Sequence, residues 1–281
     1  MYLVMFSKMF QSLNVRDMGK IVYDLGFAGV DLTTRPGGHV LPENVATGLP
    51  DAVRILKDQG LRVPMLTTAI TSAASEHAAE IIATAAAQDI RLLKLGYWQY
   101  TGFGKAKKLV DAARRDLDTL EPLAKKHGVT LCLHTHSGDC LTATTSLMLL
   151  LLANRDPQAI AAYYDLGHMT VEGGHSGWKL GLDLLSDRIR IVAAKGMGWV
   201  YYPGVGGARP EWKDKMMPLR ESAVRWEEAI GYLKQIGFNG PISVHSEYES
   251  EHSWRKLSLG QIIEQTRFDV AFLTGVIGQP R

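Results

Sequence analysis

The run Leu131-Cys132-Leu133-His134-Thr135-His136-Ser137-Gly138-Asp139 carries a short apolar stretch into two histidines two residues apart. Residues i and i+2 of a β-strand share a face, so both imidazoles leave the carboxyl end of that strand in one direction. The spacing suits a metal ion, although a His-x-His pair also serves as an ordinary hydrogen-bonded pair. Two further strand-like runs end in ionisable groups in the same manner, at Asp165-Leu166-Gly167-His168 and at His245-Ser246-Glu247. Imidazoles and carboxylates at strand ends are the groups that ligate cations and carry protons.

Such groups act together only if the fold gathers them. Eight strand-like segments are expected: 3–6, 29–32, 61–66, 92–96, 129–134, 161–166, 189–194 and 242–245. They alternate with eight helical patterns at 16–25, 50–59, 75–88, 105–127, 142–154, 178–186, 224–236 and 259–273. The fourth pattern shows why: Ala106, Leu109, Ala113, Leu117, Leu120 and Ala124 recur every three or four residues among charged ones, which buries one face against a sheet. Gly128 then stops it, as Gly26, Gly60 and Gly237 stop others. Strand and helix alternating without a linker-like tract imply parallel strands and right-handed crossovers, and eight repeats close into a single-domain (β/α)8 TIM barrel over residues 1–281. A doubly wound open sheet is the alternative, but no glycine-rich phosphate fingerprint follows the first strand. In such a barrel chemistry sits at the carboxyl ends of the strands, where His134, Asp165, Lys195 and His245 fall.

Length and composition agree. A chain of 281 residues with 46% hydrophobic and 21% charged residues is globular and can bury a sizeable core. A net charge of +2, from 31 basic and 29 acidic residues, is too even for a nucleic-acid footprint or a membrane patch, so the expected partner is a small molecule. Cys132 and Cys140 form neither a disulfide framework nor a zinc motif and are expected to be buried thiols. The apolar cluster 147–153 is far short of a bilayer span and reads as a helix in a core or at the interface of a homo-oligomer. With no basic n-region, a cytoplasmic location is the default expectation, although a leader removed before numbering would be invisible.

Over nearly its whole length the chain resembles the sugar phosphate isomerase/epimerase superfamily, the xylose-isomerase-like barrels. The resemblance rests on the first strand into Phe27-Ala28-Gly29-Val30-Asp31-Leu32, on Tyr164-Asp165-Leu166-Gly167-His168, on Ala194-Lys195, and on Gly237-Phe238-Asn239-Gly240-Pro241-Ile242-Ser243-Val244. It implies one divalent cation held by a glutamate, an aspartate, a histidine and a glutamate from the fifth to eighth strands. That cation would polarise a sugar carbonyl while the glutamates move a proton on the adjacent carbon. At those positions this chain has His134, Asp165, Ala193 and His245, so only Asp165 is kept.

His134, Asp165 and His245 would then form a two-histidine, one-carboxylate ligand set with open positions. Imidazole nitrogen shifts the preference from Mg²⁺ toward Zn²⁺, Fe²⁺, Co²⁺ or Ni²⁺, with Mn²⁺ retained if Glu247 or His136 joins. Asp139, Thr135 and Ser246 are candidate partners for the far ring nitrogens. Without the two glutamates another proton carrier is needed, and His136 and Glu247 lie two positions beyond the expected ligands. Lys195 could act as a base, hold an oxyanion or form a structural ion pair. His168 is expected to bond substrate or brace a ligand, and Asp31 to meet hydroxyls or pair with Lys8 or Arg35. The stretch 196–218 reads as a long loop whose aromatics, Trp199 among them, could wall a sugar site with Trp98, Tyr100, Trp178, Arg209 and Lys94. The expected activity is proton abstraction next to a carbonyl of a sugar or keto-sugar. It leads to isomerisation or epimerisation or, if a β substituent leaves, to a lyase or hydratase reaction. Hydrolysis by metal-bound water and a non-catalytic sugar-binding subunit are the remaining classes.

Overall fold

The computed structural model describes residues 1–204 and 209–278. Eight parallel strands close into a barrel: β1 (Tyr2–Phe6), β2 (Gly29–Thr33), β3 (Arg62–Thr67), β4 (Leu92–Lys94), β5 (Thr130–His134), β6 (Ile160–Asp165), β7 (Ile189–Ala194) and β10 (Pro241–Val244). Around it stand α1 (Val15–Asp24), α2 (Val45–Asp58), α3 (Ala78–Ala87), α4 (Ala106–His127), α5 (Thr145–Leu152), α6 (Leu166–Leu184), α7 (Trp226–Gln235) and α8 (Leu259–Ile277). The expected TIM barrel is therefore the fold. Most apolar burial lies between strands and helices, where Leu117, Leu120 and Ala124 of α4 are buried as their spacing requires. Gly128 ends that helix in the left-handed region, at φ 61°.

Inside the barrel a smaller cluster of Val4, Met65, Cys132, Ala161, Tyr163, Ile191 and Ala193 fills the lumen. Strand alternation makes these residues a ruler, because the residue two further on points the same way and rises toward the mouth. Val4 leads to Phe6, Met65 to Thr67, Cys132 to His134, Tyr163 to Asp165 and Ala193 to Lys195. On β2 and β10 the same parity selects Asp31, Ser243 and His245. The lumen is plugged by the apolar layer, and the layer above it is polar.

Three expectations change. The helix after β6 begins at Leu166 rather than at 178, with Asp165 as its N-cap: the Asp165 Oδ1 accepts from the His168 amide at 2.9 Å. Gly174 bends this helix at φ 58°, and the glycines at 173, 174 and 177 hide its first half from a reading by periodicity. Within the stretch 196–218 the chain forms an antiparallel pair, β8 (Met197–Tyr202) and β9 (Glu211–Met216), rather than an open loop; residues 205–208 lie outside the described part. Asp31 pairs with neither Lys8 nor Arg35. It is buried and accepts hydrogen bonds from Thr67 Oγ1 at 2.7 Å and Ser243 Oγ at 2.8 Å, bracing three strands below the mouth.

The start of α6 and the end of β7 touch backbone to backbone. A Cβ on Gly167 would lie 2.3 Å from the Lys195 carbonyl oxygen. Gly167→Ala is therefore expected to cost about 1–3 kcal/mol through overpacking. A denaturant titration checks this, and an unchanged midpoint would show that the two backbones can part without cost.

Candidate functional site

A cavity of about 110 Å³, open to solvent above, lies at the carboxyl ends of the strands. His134, His136, Lys195, His245 and Glu247 line one side, and Lys94, Arg35 and Thr67 line another. Phe6, stacked on the His245 ring at 4.3 Å, and Tyr163, stacked on His134 at 4.2 Å, form apolar parts of the floor.

The hydrogen bonds fix the proton positions. His134 Nε2 donates to Asp165 Oδ2 at 3.2 Å, and its Nδ1 accepts from the Tyr97 hydroxyl at 2.7 Å. Lys195 Nζ donates to His168 Nε2 at 3.0 Å, so His168 carries its proton on Nδ1 and gives it to Ser137 Oγ at 2.7 Å. Lys195 also pairs with Glu247 Oε1 at 3.2 Å, while Lys8 holds Glu247 Oε2 at 2.8 Å. The Tyr163 hydroxyl donates to His245 Nε2 at 2.9 Å, leaving Nδ1 3.4 Å from Glu247 Oε1. His136 Nδ1 donates to the Ser137 carbonyl at 2.8 Å. Its Nε2 therefore keeps a lone pair, for which no partner exists among the described residues.

Burial dominates the titration of this layer. It drives the imidazoles of His134 and His168 well below their usual value, aided by Lys94 at His134 and by Lys195 at both. His136 is lowered to about 4 by burial and then by Lys195. Lys94 falls to about 7 through burial and the nearby Arg35. Burial alone would raise the Glu247 carboxyl, but Lys195, His245 and Lys8 outweigh it and hold it well below the usual carboxylate range. The tyrosines Tyr97 and Tyr163 are pushed well above theirs by burial and remain phenols.

The expected ligands occupy the same layer, with the His134 and His245 ring centres 5.9 Å apart. His134 pairs with Asp165, His245 faces Glu247, and among the described residues no three His, Cys, Asp or Glu side chains are grouped to hold one ion. Between the two pairs stands the Lys195 ammonium, within 3.2 Å of Glu247 and 3.0 Å of His168. A cation is thus already in place there, and a divalent ion beside it would be repelled. Arranged in this way around the Lys195 ammonium, the side chains do not fit a resident divalent metal.

Of the residues expected to bind substrate, Lys94 lines the cavity and His168 braces Lys195 from behind. Trp199, 50% exposed on β8, does not line the cavity. Nor does the exposed Arg209, two residues before β9. Trp98 gives its indole N–H to Asp116 of α4 at 2.9 Å, and Trp178 is buried in the helix layer, so neither stands in the wall. The far ring nitrogens find Tyr97, Tyr163 and Ser137 rather than Asp139, Thr135 or Ser246. Tyr97 and Tyr163 escaped sequence reasoning, as did the lining role of Lys8 and Arg35. Only Tyr163 carried a signal, its even spacing from Ala161 and Asp165 on one strand face. Both cysteines are buried free thiols.

A closed parallel barrel with its ionisable side chains at the carboxyl mouth defines the class of protein. The chain belongs to the xylose isomerase-like TIM barrel family, whose description matches residues 20–270. No curated protein matches the sequence significantly. Among solved structures, the chain is similar to a D-psicose 3-epimerase from Clostridium cellulolyticum H10, at 12% identity and a TM-score of 0.71 over 99% of both chains. It is also similar to a probable 3-DHS dehydratase from Bacillus anthracis, at 17% identity and 0.69, covering 98% of this chain and 99% of that one. A third is a xylose isomerase-like TIM barrel protein from Mycobacterium smegmatis in complex with magnesium, at 16% identity and 0.69 over 98% of both. At these identities the likeness is one of fold. No helix among the described residues is long and apolar enough to cross a membrane.

Proposed function

We propose that the chain is a sugar-modifying enzyme that abstracts a proton next to the carbonyl of a sugar or keto-sugar. The observation that carries this reading is one ammonium, Lys195, beside one free imidazole lone pair, His136 Nε2, at the mouth of the barrel. An ammonium has three donors. His168 and Glu247 take two, and the third is left for a ligand. Directed at a carbonyl oxygen, it stabilises the negative charge that grows there as the neighbouring carbon loses its proton. His136 Nε2 takes that proton. Glu247, clamped by Lys8 and Lys195, aims the ammonium rather than moving protons itself.

Delivery of the proton to the former carbonyl carbon, with the adjacent hydroxyl giving up its proton to become the new carbonyl, gives an isomerase, and return to the opposite face of the carbon that lost it gives an epimerase. Departure of a β substituent gives a lyase. The last reading is favoured by the asymmetry of the site, because epimerisation needs a second proton carrier facing the first, and Glu247 is held by two lysines. Solved structures of similar fold are named as an epimerase and as a probable dehydratase, consistent with either outcome.

Solvent deuterium exchange into a panel of keto-sugars tests the reading, and no exchange across the panel would overturn it. Protein purified without chelator is expected to hold substoichiometric metal and to keep its exchange activity in EDTA. Stoichiometric Zn²⁺, Mn²⁺, Fe²⁺, Co²⁺ or Ni²⁺ that is lost in both His134→Ala and His245→Ala would instead establish the ligand set His134, Asp165 and His245.

A further inference from the structure

One buried lysine in the mouth forms no ion pair among the described residues. Lys94, at the end of β4, is 3% exposed, lines the cavity and has no carboxylate within 4.0 Å among the described residues. Its Nζ rests 3.6 Å above the centre of the Tyr97 ring. The next acid, Asp31, already accepts from Thr67 and Ser243. Arg35, on the segment after β2, lines the same cavity, is half-buried and likewise forms no ion pair among the described residues. Two basic groups that face one small space without an ion pair bear a desolvation and repulsion cost that the more distant Asp31 offsets only in part. Lys8 and Lys195, by contrast, share Glu247.

We propose that Lys94 and Arg35 form an anion-binding subsite, so that the sugar handled here carries a carboxylate or phosphate. This rests on reading the mouth as a sugar site. A monosaccharide lying across the cavity sets its anionic group on the β2 and β4 side and its carbonyl on the β5, β7 and β10 side, where His136 and Lys195 stand. The ring of Tyr97 forms the apolar seat beneath the ammonium. An anion between the two cations supplies the missing charge and restores the ammonium form of Lys94, which burial and Arg35 otherwise disfavour.

The test is equilibrium calorimetry with four sets of probes: inorganic phosphate, hexuronates, hexose 6-phosphates and the neutral hexoses and ketohexoses of matching stereochemistry. At least one anionic sugar set is expected to bind roughly tenfold to a hundredfold tighter than its neutral counterparts, the worth of a charge-assisted pair. Which set does so separates carboxylate from phosphate. Lys94→Met is expected to erase that preference while leaving neutral sugars within about twofold, and to melt at a higher temperature because an unpaired buried charge is gone. Arg35→Gln weakens the same preference from the second side. Equal binding of charged and neutral sugars, or a preference that survives in both variants, would overturn the subsite. Binding of anionic sugars without solvent exchange would leave the subsite standing and sink the proton-abstraction reading, whereas exchange on neutral sugars without any preference for anions would do the reverse.

Discussion

Lys195→Met lowers the rate of solvent exchange into substrate by about a thousandfold, the scale for losing a donor aimed at a developing oxyanion. Methionine keeps the length and apolar stem of lysine while removing the charge, so β7 and its contact with Gly167 are preserved. The loss falls on kcat, because the donor is worth most when the oxygen bears full charge. His168 and Glu247 each lose a partner, and Glu247 keeps only Lys8 among its lysines. Lys195→Arg does not restore activity, since the planar fork of a guanidinium cannot replace a compact ammonium held between an imidazole and a carboxylate. Lys195→Cys alkylated with 2-bromoethylamine does, because it rebuilds an ammonium of nearly the same reach. The alkylation is run in a Cys132→Ala, Cys140→Ala background, because both native thiols and position 195 are buried and burial does not distinguish them. Pre-steady-state exchange monitored by mass spectrometry checks all three variants. A Lys195→Met protein with near-normal turnover would show that the charge stabilising the intermediate comes from elsewhere.

Much of this is legible in the sequence. Alternating strand and helix patterns specify the barrel because each burial face has its own period, as α4 shows. The strand-end residues His134, Asp165, Lys195 and His245 reach the mouth because each stands two residues beyond a lumen residue, a parity that can be counted on the sequence. What could not be counted is how close these side chains come. Ligand-type residues on neighbouring strands suggest a shared cation, but Lys195 enters between them from β7, and a residue count cannot weigh an ammonium against an ion. Tyr97, Lys8 and Arg35 sit on segments just after strands, where no periodic signal marks a direction. The aromatics after β7 looked like a sugar wall because a hairpin and a binding loop share the same composition. Pairing of β8 with β9 instead turns Trp199, Tyr201 and Trp212 to the exterior.

His136→Phe gives the second large effect, a loss of about a hundredfold to ten-thousandfold, the range for removing a positioned general base. Phenylalanine retains the ring that lies 3.9 Å from His168, so packing persists while the lone pair is lost. The pH profile discriminates a base from a packing element. Neutral imidazole is the active form, and burial with Lys195 lowers its pKa to about 4. The acid limb of kcat/KM in the native enzyme is therefore expected near pH 4, with activity flat from there to neutrality and falling as the ring is protonated below it. An acid limb at the ordinary imidazole value would place the base in a solvated position incompatible with this geometry. In Glu247→Gln the carboxylate that clamps Lys195 is lost while His136 keeps its bond to the Ser137 carbonyl. That variant is expected to lose rate and to move the acid limb only slightly, and downward, because the Glu247 charge is a minor influence favouring the protonated ring, whereas loss of the base abolishes the limb; this separates the group that takes the proton from the one that only aims the ammonium.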